Sequence, residues 1–348
     1  MMNYRNYLLI NGTSIRVAMK QLNVLASDAI VFIVDKDDVL KGSLTDGDVR
    51  RGLLKGVTID DPVEVIFQND PKFVRKGESD IYQINEYREQ HYKIIPVLDD
   101  NNKVVNVLNF KYIRSYLPVD AVVMAGGKGE RLRPLTDNTP KPLLKVGDKA
   151  IMEHNIDRLA LYGIGDFWFS IKYLGNQIVD YFGDGRDRNQ LINYVWEDEP
   201  LGTIGAVSKI DDFKHDHILV TNSDILTNLD YEDFYIDFLK KDADFSVVSI
   251  PYNVSIPYAV LEISNNQVLD FKEKPTYTYF SNGGIYLIKR SLLEYIPKGK
   301  HFNATDLIEK LIAENKKVVS FPLVGYWLDV GKHADFEKAQ RDINSVKF

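Results

Sequence analysis

A chain of 348 residues has room for two or more domains, and 45% hydrophobic residues are ample for packed cores. A net charge of −7 and a pI near 5.5 argue against a nucleic-acid binder but leave nucleotides open, because local cations decide that. The absence of cysteine excludes disulfides and thiolate metal sites, no run nears the ~18 apolar residues of a membrane span, and the polar start Met1-Met-Asn-Tyr-Arg-Asn is unlike a secretory signal, so a cytoplasmic enzyme is expected.

The first third of the chain repeats itself. Val34-Asp-Lys-Asp-Asp-Val-Leu-Lys-Gly-Ser-Leu-Thr-Asp-Gly-Asp-Val-Arg50 corresponds to Leu98-Asp-Asp-Asn-Asn-Lys-Val-Val-Asn-Val-Leu-Asn-Phe-Lys-Tyr-Ile-Arg114. Asp35 falls on Asp99 and Arg50 on Arg114, a constant offset of 64 residues. Each copy reads as helix, strand, acidic turn, strand, helix, with turn residues between β-branched runs. Self-similarity at such a period predicts two copies packed on each other. The repeat resembles a tandem pair of cystathionine-β-synthase (CBS) modules, spanning 1–117 and dividing at about residue 68. The first copy has that family's Gly-x-x-Thr-x-x-Asp pattern at Gly42, Thr45 and Asp48. The resemblance implies an adenine nucleotide held by Thr45 and Asp48, with Arg50 on its phosphate. The second copy has Asn106, Asn109 and Tyr112 instead. CBS pairs associate face to face, so a homo-oligomer built on a dimer is also implied.

Past Ser115-Tyr-Leu-Pro-Val119 the character changes. Ala121 to Ala125 is a short apolar run, read as a buried strand. Gly126, Gly127 and Gly129 follow, then Arg131 and, between two prolines, Lys141. Glycines after a strand expose backbone N–H groups to an anion, and the cations can stabilise charge on a polyphosphate. A Walker A loop is absent. The dinucleotide fingerprint fails, because Leu132 stands where its last glycine belongs, which argues against a nicotinamide-dependent oxidoreductase.

The remainder alternates strand candidates with helices. Asp166–Ile171, Leu191–Trp196 and His217–Thr221 read as strands, while Met152, Ile156, Leu159 and Ala160 share a helical face that Gly163 ends. This alternation predicts an α/β fold with a mostly parallel mixed sheet over 118–348, its ligands at the carboxyl ends of the strands.

Gly-Gly-x-Gly-x-Arg-Leu-x-Pro-Leu-Thr followed by Pro-Lys-Pro resembles the signature loop of sugar-1-phosphate nucleotidyltransferases, whose domain is Rossmann-like and related to the GT-A glycosyltransferase fold. Further motifs extend the likeness over nearly all of 120–348. It implies nucleotide contacts from Ala125, Gly126, Gly127 and Gly129, with Arg131 on the leaving pyrophosphate and Lys141 on the α-phosphoryl group. Glu197-Asp-Glu-Pro-Leu-Gly-Thr resembles the base-binding loop, with Glu197, Gly202 and Thr203 against base or ribose. A helix capped at Thr203 is expected there as well.

Asp224, ending Thr-Asn-Ser-Asp, and Asp329 in Tyr326-Trp-Leu-Asp-Val-Gly331 lie beside apolar residues, where a carboxylate needs a partner. Mg²⁺ is the implied one. Phe271-Lys-Glu-Lys-Pro275 and Ser281-Asn-Gly-Gly resemble the sugar-phosphate site, through Glu273, Lys274, Asn282 and Gly283. Glu130 replaces the family's usual hydroxyl residue before the loop arginine and is expected to point away.

By architecture the chain resembles the guanylyltransferases that act on glucosamine-1-phosphate in nonulosonic-acid pathways. Uridylyl- and thymidylyltransferases, which tend to carry Gln where Glu197 stands, and a non-catalytic nucleotide-sensing CBS protein are the alternatives. A carboxylate at 197 offers two acceptors, which suit the paired donors of guanine and so favour GTP. Hexapeptide repeats of an acetyltransferase are absent.

Overall fold

The computed structural model describes residues 3–77 and 80–346. It divides into two compact units. One comprises residues 1–118 with the short segment 160–164; the other comprises 119–159 and 165–348. Among the described residues no helix is long and apolar enough to cross a membrane.

The first unit holds two three-stranded sheets. β1 (Leu8–Ile10), β2 (Ile30–Val34) and β3 (Leu40–Thr45) make one, with helices α1 (Ile15–Leu25) and α2 (Asp46–Leu54). β4 (Val74–Arg75), β5 (Ile94–Leu98) and β6 (Val104–Asn109) make the other, with α3 (Ile81–Glu89). In each sheet the first pair is parallel and the second antiparallel. Ile15, Ala18, Leu22 and Leu25 recur at helical spacing along α1 and are buried.

The repeat is visible in fine detail. The β2–β3 ladder shifts register between Ile33 and Val34, and the β5–β6 ladder shifts between Val97 and Leu98, the same place in each copy. The copies also bond to each other reciprocally. Leu40 N–H donates to the Asn102 carbonyl at 3.0 Å, and Val104 N–H to the Asp38 carbonyl at 2.9 Å. These pairs exchange under the repeat offset, as a local two-fold axis requires. Two expectations need correction. Each copy has an additional leading strand, β1 or β4, and the second copy ends in a turn over 110–114 where a closing helix was expected.

The second unit is organised by a seven-stranded sheet. Its strands in chain order are β7 (Val119–Ala125), β10 (Asp166–Ile171), β11 (Leu191–Trp196), β12 (His217–Asn222), β14 (Phe245–Ser255), β17 (Thr276–Lys289) and β18 (Val318–Pro322). Between them lie the short pair β8 (Lys145–Val146) and β9 (Lys149–Ala150), then β13 (Ile225–Thr227), β15 (Val260–Ser264), β16 (Gln267–Lys272) and β19 (Trp327–Asp329). The helices are α4 (Ile151–Leu161), α5 (Gly175–Phe182), α6 (Tyr231–Lys240), α7 (Ala304–Ala313) and α8 (His333–Asp342).

The sheet order is β11-β10-β7-β12-β17-β14-β18, and only β17 runs against its neighbours. This is the mixed, mostly parallel α/β sheet that the alternation predicts. β7 is central, and Val119, Ala121, Val122, Val123 and Ala125 are buried, as a strand covered on both faces demands. Parallel pairing puts the carboxyl ends of four strands at one edge: Met124 faces Asn222, Ala125 faces Ile171, and Ile171 faces Trp196.

Candidate active site

Loops leaving those four strand ends surround a cleft of about 470 Å³. Gly126, Gly127 and Lys128 follow β7; Lys172 and Tyr173 follow β10; Glu197, Pro200, Gly202 and Thr203 follow β11; Ser223 and Asp224 follow β12. A second cleft of about 440 Å³ shares Gly127, Lys128, Lys141 and Asp224 with it and adds Gly129, Glu130, Arg131 and Gly331. Glu130 is exposed and lines this second cleft, whereas the sequence suggested that it points away.

The glycine loop is shaped by contacts only glycine allows at two positions. Gly129 has φ of +63°, a left-handed conformation costly for other residues. A β-carbon on Gly126 would lie 2.7 Å from Oε1 of Glu197. The loop is also held from outside. Thr136 Oγ1 donates to the Gly129 carbonyl at 2.9 Å, Tyr173 Oη donates to the Thr136 carbonyl at 3.0 Å, and Gln177 Nε2 donates to the Asn138 carbonyl at 3.0 Å. Ala125 is buried at the end of β7, where it pairs with Ile171.

The antiparallel pairing of β13 with β19 places Asp224 and Asp329 side by side. Ile225 pairs with Asp329, and Val330 N–H donates to the Asp224 carbonyl at 3.0 Å. Lys141, 8% exposed, reaches both carboxylates: its ammonium bonds Oδ2 of Asp224 and lies 3.7 Å from Oδ1 of Asp329. Burial and the Asp224 charge push the Asp329 carboxyl above the usual aspartate range, against the pull of Lys141 and Arg131.

Two carboxylates share one ammonium in a half-buried place, with the Arg131 guanidinium acting on Asp329 from the side. Oδ1 of Asp224 and Oδ1 of Asp329 are both buried without a hydrogen-bond partner. Such atoms are costly unless something pairs them. These two oxygens fit a hard divalent cation such as Mg²⁺. Among the described residues no group of three or more histidines, cysteines and carboxylates gathers, so the remaining ligands of such a cation would be phosphate and water oxygens.

Glu197 is buried and already engaged. Its Oε1 accepts from the Ser170 hydroxyl, and its Oε2 accepts from Leu201 N–H at 2.9 Å. Each oxygen keeps a further lone pair. Gly202 lies against the Phe302 backbone. Thr203 begins no helix of its own, because only a short 3-10 turn follows from Gly205. Its hydroxyl instead accepts from Ala304 N–H at 2.9 Å, at the start of α7, and so ties the loop to that helix. His301 joins the cleft from the segment before α7. Sequence reading passed over His301, Lys128, Lys172 and Tyr173, because nothing in their local spacing sets them apart.

Asn282 and Gly283 lie near the same edge. Asn282 Oδ1 accepts from Gly284 N–H at 2.9 Å, a β-carbon on Gly284 would lie 2.6 Å from Nδ2 of cleft residue Asn222, and Trp327 Nε1 donates to the Gly283 carbonyl at 2.9 Å. Glu273 and Lys274 are not brought there. β14 and β17 continue as a two-stranded ribbon from the Ser249–Asn282 pair out to Ser255–Thr276. At ~3.3 Å per residue the ribbon runs roughly 20 Å from Asn282 to Thr276, and Glu273 and Lys274 precede that end in the turn between β16 and β17. Neither residue lines either cleft.

A family model described as Nucleotidyl transferase matches residues 120–346, the whole stretch that builds this cleft. The chain belongs to the nucleotidyl transferase family. Among curated members, the bifunctional protein GlmU of Methanocaldococcus jannaschii is 34% identical over 230 residues, 64% of this chain and 54% of that one. A mannose-1-phosphate guanylyltransferase of Mycobacterium tuberculosis is 32% identical over 236 residues, covering 65% of this chain and 64% of its own length. This chain thus spans about half to two thirds of those relatives. A crystal structure of HddC from Yersinia pseudotuberculosis complexed with GMP-PN is 25% identical and superposes with a TM-score of 0.50, over 65% of this chain and 99% of that one.

The first unit treats its own motif differently. Asp48 is buried, and four donors reach its two oxygens. Thr45 N–H and the Thr45 hydroxyl bond Oδ2 at 2.9 and 2.6 Å; Arg51 Nη2 and Gln68 Nε2 bond Oδ1 at 2.6 and 2.9 Å. Thr45 Oγ1 in turn accepts from Asp48 N–H, completing a capping box at the start of α2. Arg50 is exposed and pairs with Asp46. A carboxylate has about four lone-pair sites, so Asp48 has none free for ribose in this conformation. Phe67 also crowds Gly42, its ring carbon 2.3 Å from where a β-carbon would stand.

Proposed function

We propose that the chain transfers a nucleotidyl group from a nucleoside triphosphate to a sugar-1-phosphate, releasing pyrophosphate and an NDP-sugar for glycan or nonulosonic-acid synthesis. The observation that carries this reading is the cluster of Lys141, Asp224 and Asp329 beside the glycine loop, with two buried carboxylate oxygens that accept no hydrogen bond. Family members named for guanylyl transfer to mannose- and heptose-1-phosphates support it.

The sugar phosphate oxygen attacks the α-phosphorus in line, and no covalent intermediate is needed. Asp224 and Asp329 would hold a divalent cation, which when bound supplies charge neutralisation to the phosphates. The N–H groups of the glycine loop receive phosphate oxygens. Lys141 stabilises the α-phosphoryl group, and Arg131 holds the leaving pyrophosphate. Asn282 and Gly283 serve the sugar. Glu273 and Lys274 keep the right chemistry for a sugar phosphate, but the ribbon must lie over a cleft for them to use it.

GTP is the favoured donor, because the free lone pairs of Glu197 match guanine's N1–H and N2–H. A pyrimidine donor is the second reading. It is favoured by the two internal bonds that Glu197 already accepts, which would leave base choice to the backbone of Pro200 to Thr203. Pyrophosphate release measured for GTP, UTP, dTTP and ATP against several hexose- and heptose-1-phosphates decides. Release with GTP and one sugar phosphate is expected; no release with any pair would overturn the assignment. An adenine nucleotide regulating through the first unit, and assembly through it, remain proposals of the CBS resemblance. The former requires Gln68 or Arg51 to release Asp48.

A further inference from the structure

The outer half of the β14–β17 ribbon and the β15–β16 hairpin expose ten large apolar side chains. They include Tyr258 at 76%, Phe271 at 61% and Tyr279 at 60% exposed. Such exposure in one contiguous arm is unusual for a finished surface.

Most of the apolar residues are sorted by face; Phe280, which pairs with Pro251, stands on the side of Thr278. In the ribbon, Tyr252 pairs with Tyr279 and Val254 with Tyr277 on one face. Asn253 pairs with Thr278 and Ser255 with Thr276 on the other, and both of these pairs are hydrogen-bonded. In the hairpin, Leu261 pairs with Phe271 and Ile263 with Val268, while Glu262 pairs with Asp270 on the opposite face. Alternation of this kind marks a sheet with one side meant for burial. Among the described residues nothing buries it.

We propose that a second copy of the chain covers this face, the two arms meeting around a two-fold axis. Size supports that occupant. With ~150–250 Å² per aromatic ring, the rings of Tyr252, Tyr279 and Phe271 and the five aliphatic side chains present several hundred Å², of the order of the ~800 Å² each partner contributes to a standard interface. Charge supports it too. The apolar face carries no charge, and the arm's Lys272 and Lys274 are outnumbered by Glu262, Asp270 and Glu273, which disfavours an anionic lipid surface. A two-fold interface needs a self-complementary patch, and an uncharged strip of aromatic and aliphatic pairs is one. The inference stands apart from the donor and sugar assigned above.

Sedimentation of the full chain at micromolar concentration, wild type against Leu261→Asp/Phe271→Asp, tests it. Dimeric wild type is expected, with dissociation raised at least ~30-fold in the variant. A monomeric wild type, including one that binds anionic vesicles, or an undiminished variant dimer, overturns it. Hydrogen exchange keeps the test valid should the variant fold poorly. Backbone amides over 252–281 of the wild type should gain protection as concentration rises, and unchanged exchange in a dimeric sample overturns the proposal.

Discussion

Two motifs in this chain pair a carboxylate with a nearby cation, and they end in opposite states. In the first unit, Asp48 receives four hydrogen bonds from Thr45, Arg51 and Gln68. In the second, Asp224 and Asp329 share Lys141, and each keeps a buried oxygen that accepts no hydrogen bond. Folding satisfies buried polar atoms wherever it can, because each one left unpaired costs ~1–3 kcal/mol. A saturated carboxylate is therefore part of the fold. An unsaturated pair is kept at a cost that a ligand can offset.

The comparison breaks most readily at the second unit. Asp224→Ala and Asp329→Ala should each lower kcat by at least ~100-fold while the protein keeps its melting temperature, since each removes a ligand of a charge-neutralising ion. Near-normal turnover in a folded variant would exclude that residue as a ligand. Lys141→Met and Arg131→Met should cost ~10²-fold or more, in kcat rather than KM, because charge develops on their side in the transition state. Steady-state kinetics with varied triphosphate separates the two parameters, and a pure KM effect would reassign both cations.

Asp48→Ala should behave in the reverse way. It should leave pyrophosphate release near wild type and cost ~1–3 kcal/mol of stability in urea unfolding, through the lost cap and the orphaned Thr45 and Gln68 donors. If stability is unchanged and a nucleotide ligand is lost, Asp48 belongs with the second kind of carboxylate. Its pH dependence sharpens this. Burial alone would raise the Asp48 carboxyl, but the bonds from Thr45, Gln68 and Arg51 hold it below the ordinary aspartate value of 3.8. A depressed carboxyl stabilises fully above the unfolded value and loses that contribution as pH falls through the folded one. The stability gap between wild type and Asp48→Ala should therefore narrow only below about pH 4, as urea titrations across that range would show.

The smallest effect is expected at Glu197. Glu197→Gln should weaken GTP use about tenfold and admit UTP or dTTP, a change of ~1–3 kcal/mol for a bidentate contact. Competition between triphosphates reads it directly. Unchanged preference would mean that Glu197, bonded to Ser170 and Leu201, only braces its loop as Asp48 braces its helix.

The sequence by itself determined what depends on neighbours along the chain. Glycines after the apolar run 121–125 specify a bare-backbone turn at a strand end. The alternation after residue 120 specifies a mostly parallel sheet, and the constant offset between Val34–Arg50 and Leu98–Arg114 specifies two like copies. Each follows from local geometry, which is written residue by residue. Tertiary structure decided what depends on partners distant in the chain. Gln68 saturates Asp48 from twenty residues away. The β13–β19 register sets Asp329 beside Asp224 under Lys141. Glu273 and Lys274, in the turn that leads into the long β14–β17 ladder, line neither cleft, although their motif suggested a sugar-phosphate site. Hydrogen-bond saturation and strand register depend on which distant segments meet, and spacing along one chain does not encode that.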